Sequence, residues 1–353
     1  MKKTVLVDGH CIDSIAQGSV TYVTELYKAL EHPEIEVLFC NHSEENFEKY
    51  FTNQTKVKFV QVETESRFKR YTELNNLVEK YNADFLHFQY TAPFQKKCKW
   101  INTLHDILFL EIPKYFPLSY IIPRALAFWL AAKRSEIIIT GSEHSKKSIE
   151  SYFNISGNKV KSLGYGSPLF PSKKEAVKKL EGKAFFLYVS RIEPRKNHIE
   201  LIKAFERYIQ YGHDSFLVLV GAISILPKEF KEIAARLNNR LVMLQGVPEA
   251  QLSWLYSNCR GHIYPSLGEG FGFPVLESLS LGVPTASAMN TSLSAFESLV
   301  DFKIAPVNVE SICQSFDILN KLSHEHSRAQ RTIKCFNWDS HASEFADVVL
   351  AVD

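Results

Sequence analysis

The sequence RIEPRKN, Arg191 to Asn197, places several cations between a predicted buried strand and a predicted amphipathic helix. Arg191 offers a bidentate guanidinium and Lys196 a mobile point charge, a combination that suits the oxygens of a diphosphate. The following helix adds backbone N–H groups at its start. The alternative is a solvated surface turn in which Glu193 neutralises the cations. The spacing alone leaves both interpretations open.

A second candidate is the glycine-rich stretch SLGEGFGFPVLESLSLGVP, Ser266 to Pro284, which follows the strand-like run HIYP. Its glycines allow the backbone to approach a ligand closely, and the start of the following helix favours negative charge. Glu269 precedes that helix and Glu277 lies one turn inside it. Both carboxylates could therefore accept hydrogen bonds from sugar or ribose hydroxyls in one pocket. The alternative for Glu277 is a solvent-facing helix residue.

Short β-rich apolar runs alternate with helical patterns along most of the chain, which predicts parallel sheets covered by helices. The predicted strands of the first half are Thr4–Val7, Glu36–Cys40, Val57–Val62, Asp84–Phe88, Trp100–Leu104, Glu136–Thr140 and Val160–Leu163. Those of the second half are Phe185–Val189, Phe216–Val220, Leu241–Leu244, Gly261–Tyr264 and Pro284–Ala288. The clearest predicted helices are Ser19–Leu30, Ser145–Phe153, Ile199–Gln210, Lys228–Leu237, Glu249–Asn258 and Phe273–Leu281.

A chain of 353 residues is too long for one ordinary core, so two domains are expected. The stretch after Tyr165, GSPLFPSKKEAVKKLEGK, is rich in proline and lysine and is predicted to be an exposed connector. This predicts an N-terminal domain at 1–166, a connector at 167–184 and a second domain at 185–335. The expected fold class is α/β, with two facing Rossmann-like domains and a ligand cleft between them at the carboxyl ends of the strands.

The overall composition argues against several classes of function. There are 41 basic and 39 acidic residues, a net charge of +2, so no global field indicates nucleic-acid binding. The six cysteines form no C-x-x-C pair, which argues against a zinc site and a disulfide framework and favours a reducing, cytoplasmic compartment. The apolar stretch Leu118–Ala132 has 15 residues, interrupted by Pro123 and Arg124, and is too short to span a membrane.

SRIEPRKN together with EGFGFPVLE, an E-x7-E motif, resembles the retaining glycosyltransferases of family four, the group 1 type with the two-domain GT-B architecture. The similarity extends to TLHDILFLEIPKYF and GSEHSKKSI, which both follow predicted strands. CFNWDSHASEFADVV resembles the family's terminal helix, so residues 336–353 are expected to cross back to the first domain. The chain departs from the family pattern at Gln17-Gly18-Ser19, where two adjacent glycines are common, and after Asn290, where a Pro-Glu pair is missing.

Carried to matching positions, the resemblance implies how a nucleotide-sugar donor is bound. Arg191 and Lys196 would hold its diphosphate, and Glu277 would bind the ribose hydroxyls. The loop ending at Gly18 would bring a backbone amide to the phosphates. The turn GVP, which contains Val247, would meet the base.

The resemblance also implies which residues surround the transferred sugar. Glu269 and the turn through Gly270, with the backbone amides of Phe271 and Gly272, would hold its hydroxyls. His105 would lie beside the reacting carbon. The alternative for a histidine at a strand end is a structural residue, and Asp106 could fix its orientation if it is catalytic. Ser142 and Glu143 are predicted to cap and begin a helix.

The resemblance implies front-face transfer with retention, with Arg191, Lys196 and the helix near Phe273 stabilising the leaving diphosphate. No D-x-D triplet occurs, so these cations would replace a metal, and no cofactor is expected besides the donor. The motifs look most like bacterial mannosyltransferases of surface-polysaccharide assembly. GDP-mannose is therefore the first expectation and a UDP-sugar the alternative, with a glycan or lipid-linked oligosaccharide as acceptor.

Three further alternatives stay open at this point. The same architecture serves nucleotide-sugar epimerases, and it could also serve a non-catalytic subunit that binds nucleotide. The aromatic stretch Tyr115–Trp129, with Lys133 and Arg134 beyond it, could rest on a membrane surface. The other interpretation of this stretch is a buried helix of the first domain.

Overall fold

In the computed structural model of the protein, the described residues are 2–13, 18–52, 54–168, 170–223 and 226–352. The chain divides into two compact units, Met1–Gly166 with Phe336–Asp353, and Ser167–Cys335. Each unit is built on one parallel sheet. The predicted α/β class with two Rossmann-like domains is confirmed.

The first unit has a seven-stranded sheet in the order β3-β2-β1-β4-β5-β6-β7. Its strands are β1 (Lys3–Asp8), β2 (Ile35–Asn41), β3 (Val57–Gln61), β4 (Phe85–Gln89), β5 (Lys99–Thr103), β6 (Ile137–Thr140) and β7 (Val160–Ser162). The helices between them are α1 (Gly18–Ala29), α2 (Glu44–Phe51), α3 (Arg67–Tyr81), α4 (Leu108–Glu111), α5 (Leu118–Arg134) and α6 (Glu143–Phe153).

The second unit has a six-stranded sheet in the order β10-β9-β8-β11-β12-β13. Its strands are β8 (Phe185–Val189), β9 (Phe216–Val220), β10 (Leu241–Leu244), β11 (Gly261–Tyr264), β12 (Thr285–Ala288) and β13 (Phe302–Ile304). Its helices are α7 (His198–Gln210), α8 (Lys228–Leu237), α9 (Glu249–Asn258), α10 (Phe273–Ser280), α11 (Val309–Asn320) and α12 (His326–Cys335). The last helix of the chain, α13 (Trp338–Leu350), belongs to the first unit.

The central strands are apolar runs that are buried along nearly their whole length, as expected for parallel strands covered by helices on both faces. In each unit the strand order reverses beside the first strand, between β1 and β4 and between β8 and β11. Ligands of open α/β sheets bind at the carboxyl ends of the strands at this switch point. The strand order therefore selects the loops after β8 and β11 as the first place to look for a donor site.

The segment 167–184 is less exposed than its composition predicts. Its lysines at 173 and 174 are exposed, but Leu180 is buried and packs with Phe170 and Val177 against the core of the second unit. The ring of Phe170 also meets the ring of Tyr256 edge to face at 5.8 Å. These apolar side chains hold the connector to that unit because they remove apolar surface from water.

Helix α5 packs one face on the first unit and leaves the other exposed. Phe128 and Ala132 are buried among the core residues of this unit. Five large apolar side chains of the same helix, Leu118, Ile122, Leu126, Trp129 and Leu130, are between 40% and 71% exposed. The interpretation of this stretch as a buried helix is therefore correct for one face only. Among the described residues, no helix is long and apolar enough to cross a membrane.

Candidate functional site

The turn after β8 carries the predicted cations and is fixed by its neighbours. The amides of Ser190 and Ile192 donate to the carbonyls of Val220 and Ala222, at 2.8 and 2.9 Å, so this turn runs beside the segment after β9. Arg191 lies between these two bonds with an exposed side chain. The turn thus holds the Arg191 backbone in place and leaves its guanidinium accessible.

Lys196 points inward, in contrast to Arg191. It ends a short 3-10 turn before α7, and only 7% of the residue is exposed. Its Nζ lies 2.5 Å from Oε1 of Glu269, which follows β11. The hydroxyl of Tyr264 donates to the same carboxylate oxygen at 3.0 Å. Because β8 and β11 are adjacent parallel strands, residues 73 positions apart in the chain meet in one cluster.

Arg195, for which the motif alone indicates no role, is the third cation of this turn. Its Nη1 lies 3.4 Å from Oε2 of Glu269 and donates to the carbonyl of Gly268 at 2.8 Å. Its Nη2 pairs with Glu193 at 2.7 Å. Glu193 therefore contacts Arg195, and Arg195 ties the cationic turn to the glycine-rich loop. The RIEPRKN motif shows a further cation at this position, but only the fold shows that its partners are Glu269 and Gly268.

The pKa values of the buried pair reflect two opposing effects. Burial tends to raise the pKa of Glu269, but the nearby Lys196 and Arg195 outweigh burial and hold this pKa below its usual 4.5. Burial lowers the pKa of Lys196 from 10.5, the neighbouring Arg195 lowers it further, and Glu269 opposes the change. The carboxylate is therefore ionised at neutral pH and keeps the lysine in a fixed place.

Helix α10 begins after the glycine-rich loop, as predicted, with Pro274 in its first turn. Gly270 and Gly272 lie in this loop, and Phe271 is buried against Phe273 and Phe296. The positive end of the helix dipole thus lies at the switch point between β8 and β11. An anionic ligand at this switch point would be stabilised most by the dipole of α10.

Glu277 lies one turn inside α10 and is not a freely solvated side chain. The hydroxyl of Tyr256 donates to its Oε2 at 2.7 Å. Burial raises the pKa of Glu277 from 4.5 to about 7, against the opposing effect of that hydrogen bond. This carboxyl group therefore changes its charge in the physiological range.

The pKa of Glu277 predicts pH-dependent donor binding if this carboxylate accepts hydrogen bonds from ribose. The ionised fraction rises about 10-fold between pH 6 and pH 8 for a pKa near 7, so affinity for an intact nucleotide sugar should rise by up to about that factor. Glu277→Gln should bind more weakly at pH 8 and lose the pH dependence. Calorimetric titration at both pH values measures this, and an identical pH slope in both proteins would contradict it.

The predicted base and phosphate loops lie at two other strand ends. Val247 is half-buried in the turn between β10 and α9, and it packs against the core of the second unit. Gly18 is the exposed first residue of α1. The loop that leads to it, residues 14–17, lies outside the described residues. The roles of Val247 and Gly18 therefore stay predictions.

His105 follows β5 in the first unit and is buried, with 8% exposed. Its Nδ1 contacts the hydroxyl of Tyr165, and its Nε2 lies 2.8 Å from Oε1 of Gln89. The possibility that Asp106 fixes this ring does not match these partners, since both ring nitrogens contact Tyr165 and Gln89. The Asp106 carboxylate accepts a hydrogen bond from the Leu108 amide at 3.1 Å. Burial lowers the pKa of His105 to about 3, so the ring is neutral at pH 7.

The predicted helix start after β6 is confirmed in the first unit. The Ser142 side chain accepts a hydrogen bond from the Ser145 amide at 3.1 Å, and Glu143 is the first residue of α6. Arg191, Lys196, Glu269 and Glu277 all lie at strand ends or in the next helix turn of the second unit. His105 and Gly18 occupy corresponding positions in the first unit. All of these candidates thus lie near the carboxyl ends of strands, where ligands of open α/β sheets bind.

Comparison with known proteins agrees with this arrangement. The family described as "Glycosyl transferases group 1" matches residues 170–331, which contain Arg191, Lys196, Glu269 and Glu277. A glycosyltransferase from Rickettsia africae has the same fold over the whole of both chains, with a TM-score of 0.71 and 17% identity.

Two curated relatives carry related names. O-antigen chain mannosyltransferase B of Escherichia coli is 27% identical over 257 residues, which are 68% of this chain and 67% of that protein. O-antigen chain mannosyltransferase RfbU of Salmonella typhimurium is 29% identical over 187 residues, 52% of this chain and 50% of that protein. The chain thus spans about two thirds of the first relative and half of the second. Residues 170–331 thus match the group 1 glycosyltransferase family, and the chain shares its fold of two Rossmann-like units with the Rickettsia africae glycosyltransferase.

Proposed function

We propose that the protein transfers a hexose from a nucleotide sugar to a hydroxyl of a glycan or lipid-linked oligosaccharide, with retention, and that GDP-mannose is the favoured donor. The observation that carries this proposal is the cluster of Lys196, Arg195 and Glu269 where β8 and β11 end. Both curated relatives are O-antigen mannosyltransferases by name, which supports mannose and surface polysaccharide.

The cluster suits the electrostatic demand of this reaction. When the bond between the sugar and the diphosphate breaks, negative charge develops on the diphosphate, and preorganised cations lower the barrier. Arg191 is exposed beside the cluster, and α10 points its positive end to the same switch point. These groups would take the place of a divalent metal. In front-face transfer the acceptor hydroxyl approaches the same side of the sugar.

Glu269 would serve two tasks in this proposal. Its Oε1 holds Lys196 at 2.5 Å, so the ammonium is placed before the donor arrives. An ammonium has three N–H groups, and the contacts with Glu269 and Tyr264 account for two of them. The third can donate to a phosphate oxygen. The remaining acceptor capacity of Glu269 suits a sugar hydroxyl.

A panel of nucleotide sugars tests the proposal by thermal stabilisation, since a ligand that binds the native state raises the apparent stability. GDP-mannose, GDP, UDP-glucose and UDP-N-acetylglucosamine are compared with and without a chelator. At 100 times the dissociation constant the gain is about 2.7 kcal/mol, or several degrees for a unit of this size. Guanine nucleotides should stabilise, and the chelator should have no effect.

The other outcomes of the panel separate the remaining interpretations. Selective stabilisation by UDP compounds would mean that the donor is a UDP-sugar and not GDP-mannose. Strict dependence on added divalent metal would contradict the role of the cations. Product analysis with a radiolabelled donor then distinguishes sugar incorporated into acceptor, as proposed, from free epimerised sugar. Nucleotide binding with neither donor hydrolysis nor transfer would indicate a non-catalytic subunit.

We further infer that the exposed face of α5 rests on an anionic membrane surface, on the cytoplasmic side, where a lipid-linked acceptor would lie. Leu118, Ile122 and Leu126 follow one another at four-residue spacing and form one continuous apolar stripe with Trp129 and Leu130. Cations lie at its end, because Lys133 and Arg134 form the last turn of the helix. This pattern fits an interfacial helix, in which apolar side chains enter the lipid and basic ones meet the headgroups.

The double variant Ile122→Glu/Leu126→Glu should lower binding to vesicles that contain phosphatidylglycerol. Removing two large apolar contacts and adding two like charges should reduce the bound fraction roughly 10- to 100-fold in co-sedimentation. Val307→Glu is the matched control, since Val307 is an 81% exposed apolar residue of the second unit. Equal binding of wild type and the double variant would rule out this surface.

A further inference from the structure

His105 lies in a continuous chain of buried polar groups in the first unit. Its Nε2 lies 2.8 Å from Oε1 of Gln89, the last residue of β4. The side-chain amide of Gln89 donates to Sγ of Cys11 at 3.4 Å. The Cys11 thiol in turn points to the carbonyl of Ser19 at 4.0 Å. On its other side, Nδ1 of His105 contacts the hydroxyl of Tyr165.

The chemistry of each group gives this chain one direction. Burial raises the pKa of the Cys11 thiol to about 12, so the sulfur keeps its hydrogen and donates it to the Ser19 carbonyl. The sulfur then accepts from the Gln89 amide, which turns the Gln89 carbonyl oxygen to His105. A carbonyl oxygen can only accept, so Nε2 of His105 must carry the hydrogen. Nδ1 is then the acceptor of the neutral ring.

Tyr165 is suited to donate to that acceptor. Burial raises the pKa of Tyr165 well above 10, so its hydroxyl keeps the hydrogen. Its ring is packed against Tyr22 at a centroid distance of 4.9 Å and nearly parallel to Trp338 of α13 at 6.3 Å. Tyr165 therefore has little freedom to turn its hydroxyl elsewhere.

Two glycines provide the space for this ring packing. A Cβ at Gly141, just after β6, would lie 2.5 Å from ring atoms of Tyr165. A Cβ at Gly166 would lie 2.3 Å from Cγ of Trp338. Larger residues at either position would displace the aromatic stack. The backbone around Tyr165 is thus shaped to hold its hydroxyl against His105.

We propose that Tyr165 is a positioning residue that holds His105 as the neutral tautomer with its hydrogen on Nε2, through a hydrogen bond from its hydroxyl to Nδ1. His105 then donates from Nε2 to the Gln89 carbonyl oxygen and does not act as a proton acceptor there. An oxygen of the sugar or of the leaving group that took the place of this carbonyl oxygen would receive the same hydrogen. The consequence for catalysis rests on the proposed function and on the position beside the reacting carbon that the family resemblance implies for His105.

Tyr165→Phe removes the hydroxyl and keeps the packed ring. In protein labelled with ¹⁵N-histidine, the wild type should give the Nε2–H pattern for His105 at pH 7, and the variant should give a mixture of tautomers. The turnover number should fall about 10-fold, the factor that loss of one hydrogen bond is worth, while the KM for the donor changes little. His105→Asn assigns the signal.

Tyr22→Phe is the matched control. Tyr22 is equally buried and its ring lies 5.0 Å from that of His105, but its hydroxyl bonds Thr103 instead. This variant should leave the His105 tautomer and the turnover number unchanged. An equal loss of activity in both variants would mean that Tyr165 is merely structural and would overturn the inference.

The ¹⁵N-histidine spectrum of the wild-type protein shows which tautomer His105 adopts, even if Tyr165→Phe fails to fold. An Nδ1–H tautomer of His105 would overturn the inference, since Tyr165 would then be the acceptor. The tautomer is measured without substrate, so it does not depend on the reaction. A confirmed tautomer in a protein without transferase activity would disprove only the proposed function. Transfer activity with the wrong tautomer would disprove only the role of Tyr165.

Discussion

Lys196→Ala should lower the turnover number by about 100-fold or more, because losing one preorganised donor to a developing anion costs about 2.7–4 kcal/mol of barrier. Nucleotide affinity should fall less, since Arg191 and the start of α10 remain. Steady-state kinetics with saturating donor measures the effect. Turnover near that of the wild type in folded Lys196→Ala would contradict the proposed role of this lysine.

Stability must be separated from catalysis in this experiment. Glu269 is buried, and removal of one partner from a buried ion pair typically costs about 3–5 kcal/mol. Arg195, 3.4 Å from the other carboxylate oxygen, should reduce that cost because it still compensates part of the charge. Lys196→Ala is therefore expected to be both less active and less stable, and activity alone would not identify the cause.

The double variant Lys196→Ala/Glu269→Gln separates the two effects. It removes the uncompensated carboxylate and should recover most of the stability, while turnover stays as low as in the single variant. Lys203→Ala is a second control, because Lys203 pairs with Glu200 and Glu229 on the surface and such pairs contribute little. Recovery of turnover in the double variant would mean that Lys196 acts only by stabilising the fold.

Periodicity and strand-end position predicted most of the fold and the place of the site. β8, β9, β10 and β11 have the predicted ends, because each is a short apolar run between polar or turn-forming residues. The short strand β13 was missed, since its three residues are only partly buried and show no clear pattern. Local signals are thus sufficient for a strand only when it contains a clear apolar run.

The partners of the site residues could not be predicted in the same way. Lys196 meets Glu269, Glu277 meets Tyr256, and His105 meets Tyr165 and Gln89. Each contact joins residues that are at least 16 positions apart. Sequence proximity suggested Asp106 as the partner of His105, but both ring nitrogens contact residues that lie 16 or more positions away. Sequence spacing describes neighbours along the chain, whereas these contacts depend on strand order.

The sequence alone also could not predict which face of α5 is exposed. Leu118, Ile122 and Leu126 repeat at the spacing that usually marks a core-facing helix. In the structure the other face of the helix, with Phe128 and Ala132, packs on the core. Both faces are apolar, and hydrophobic periodicity cannot tell which of two apolar faces meets the protein. The structure therefore supplied the observation that favours a membrane surface.

Gly221→Ala should destabilise the second unit strongly, although Gly221 belongs to no motif of the sequence analysis. Gly221 follows β9 and has φ of +151°, a conformation that L side chains rarely adopt. A Cβ there would lie 2.1 Å from the carbonyl oxygen of Ser190 and 3.0 Å from the amide nitrogen of Arg191. These obstacles are backbone atoms, so no side chain can rotate away to make room.

Relief of this clash requires the turn after β8 to move, and that turn carries Arg191. The hydrogen bonds from Ser190 to Val220 and from Ile192 to Ala222 would be strained together. Strain and overpacking together should cost about 3 kcal/mol or more, a fall in melting temperature of roughly 2–4 °C for each kcal/mol. Donor affinity should also fall, because Arg191 is displaced from the switch point.

Gly212→Ala is the control that isolates the clash from the backbone conformation. Gly212 also has positive φ, +90°, but no atom lies within 4 Å of its added Cβ. Its substitution should cost only about 1 kcal/mol and leave donor affinity unchanged. Thermal unfolding and calorimetric titration of both variants compare the two positions. Equal losses of stability, with donor affinity intact in both, would mean that the approach of the β9 segment to Ser190 does not hold Arg191 in place.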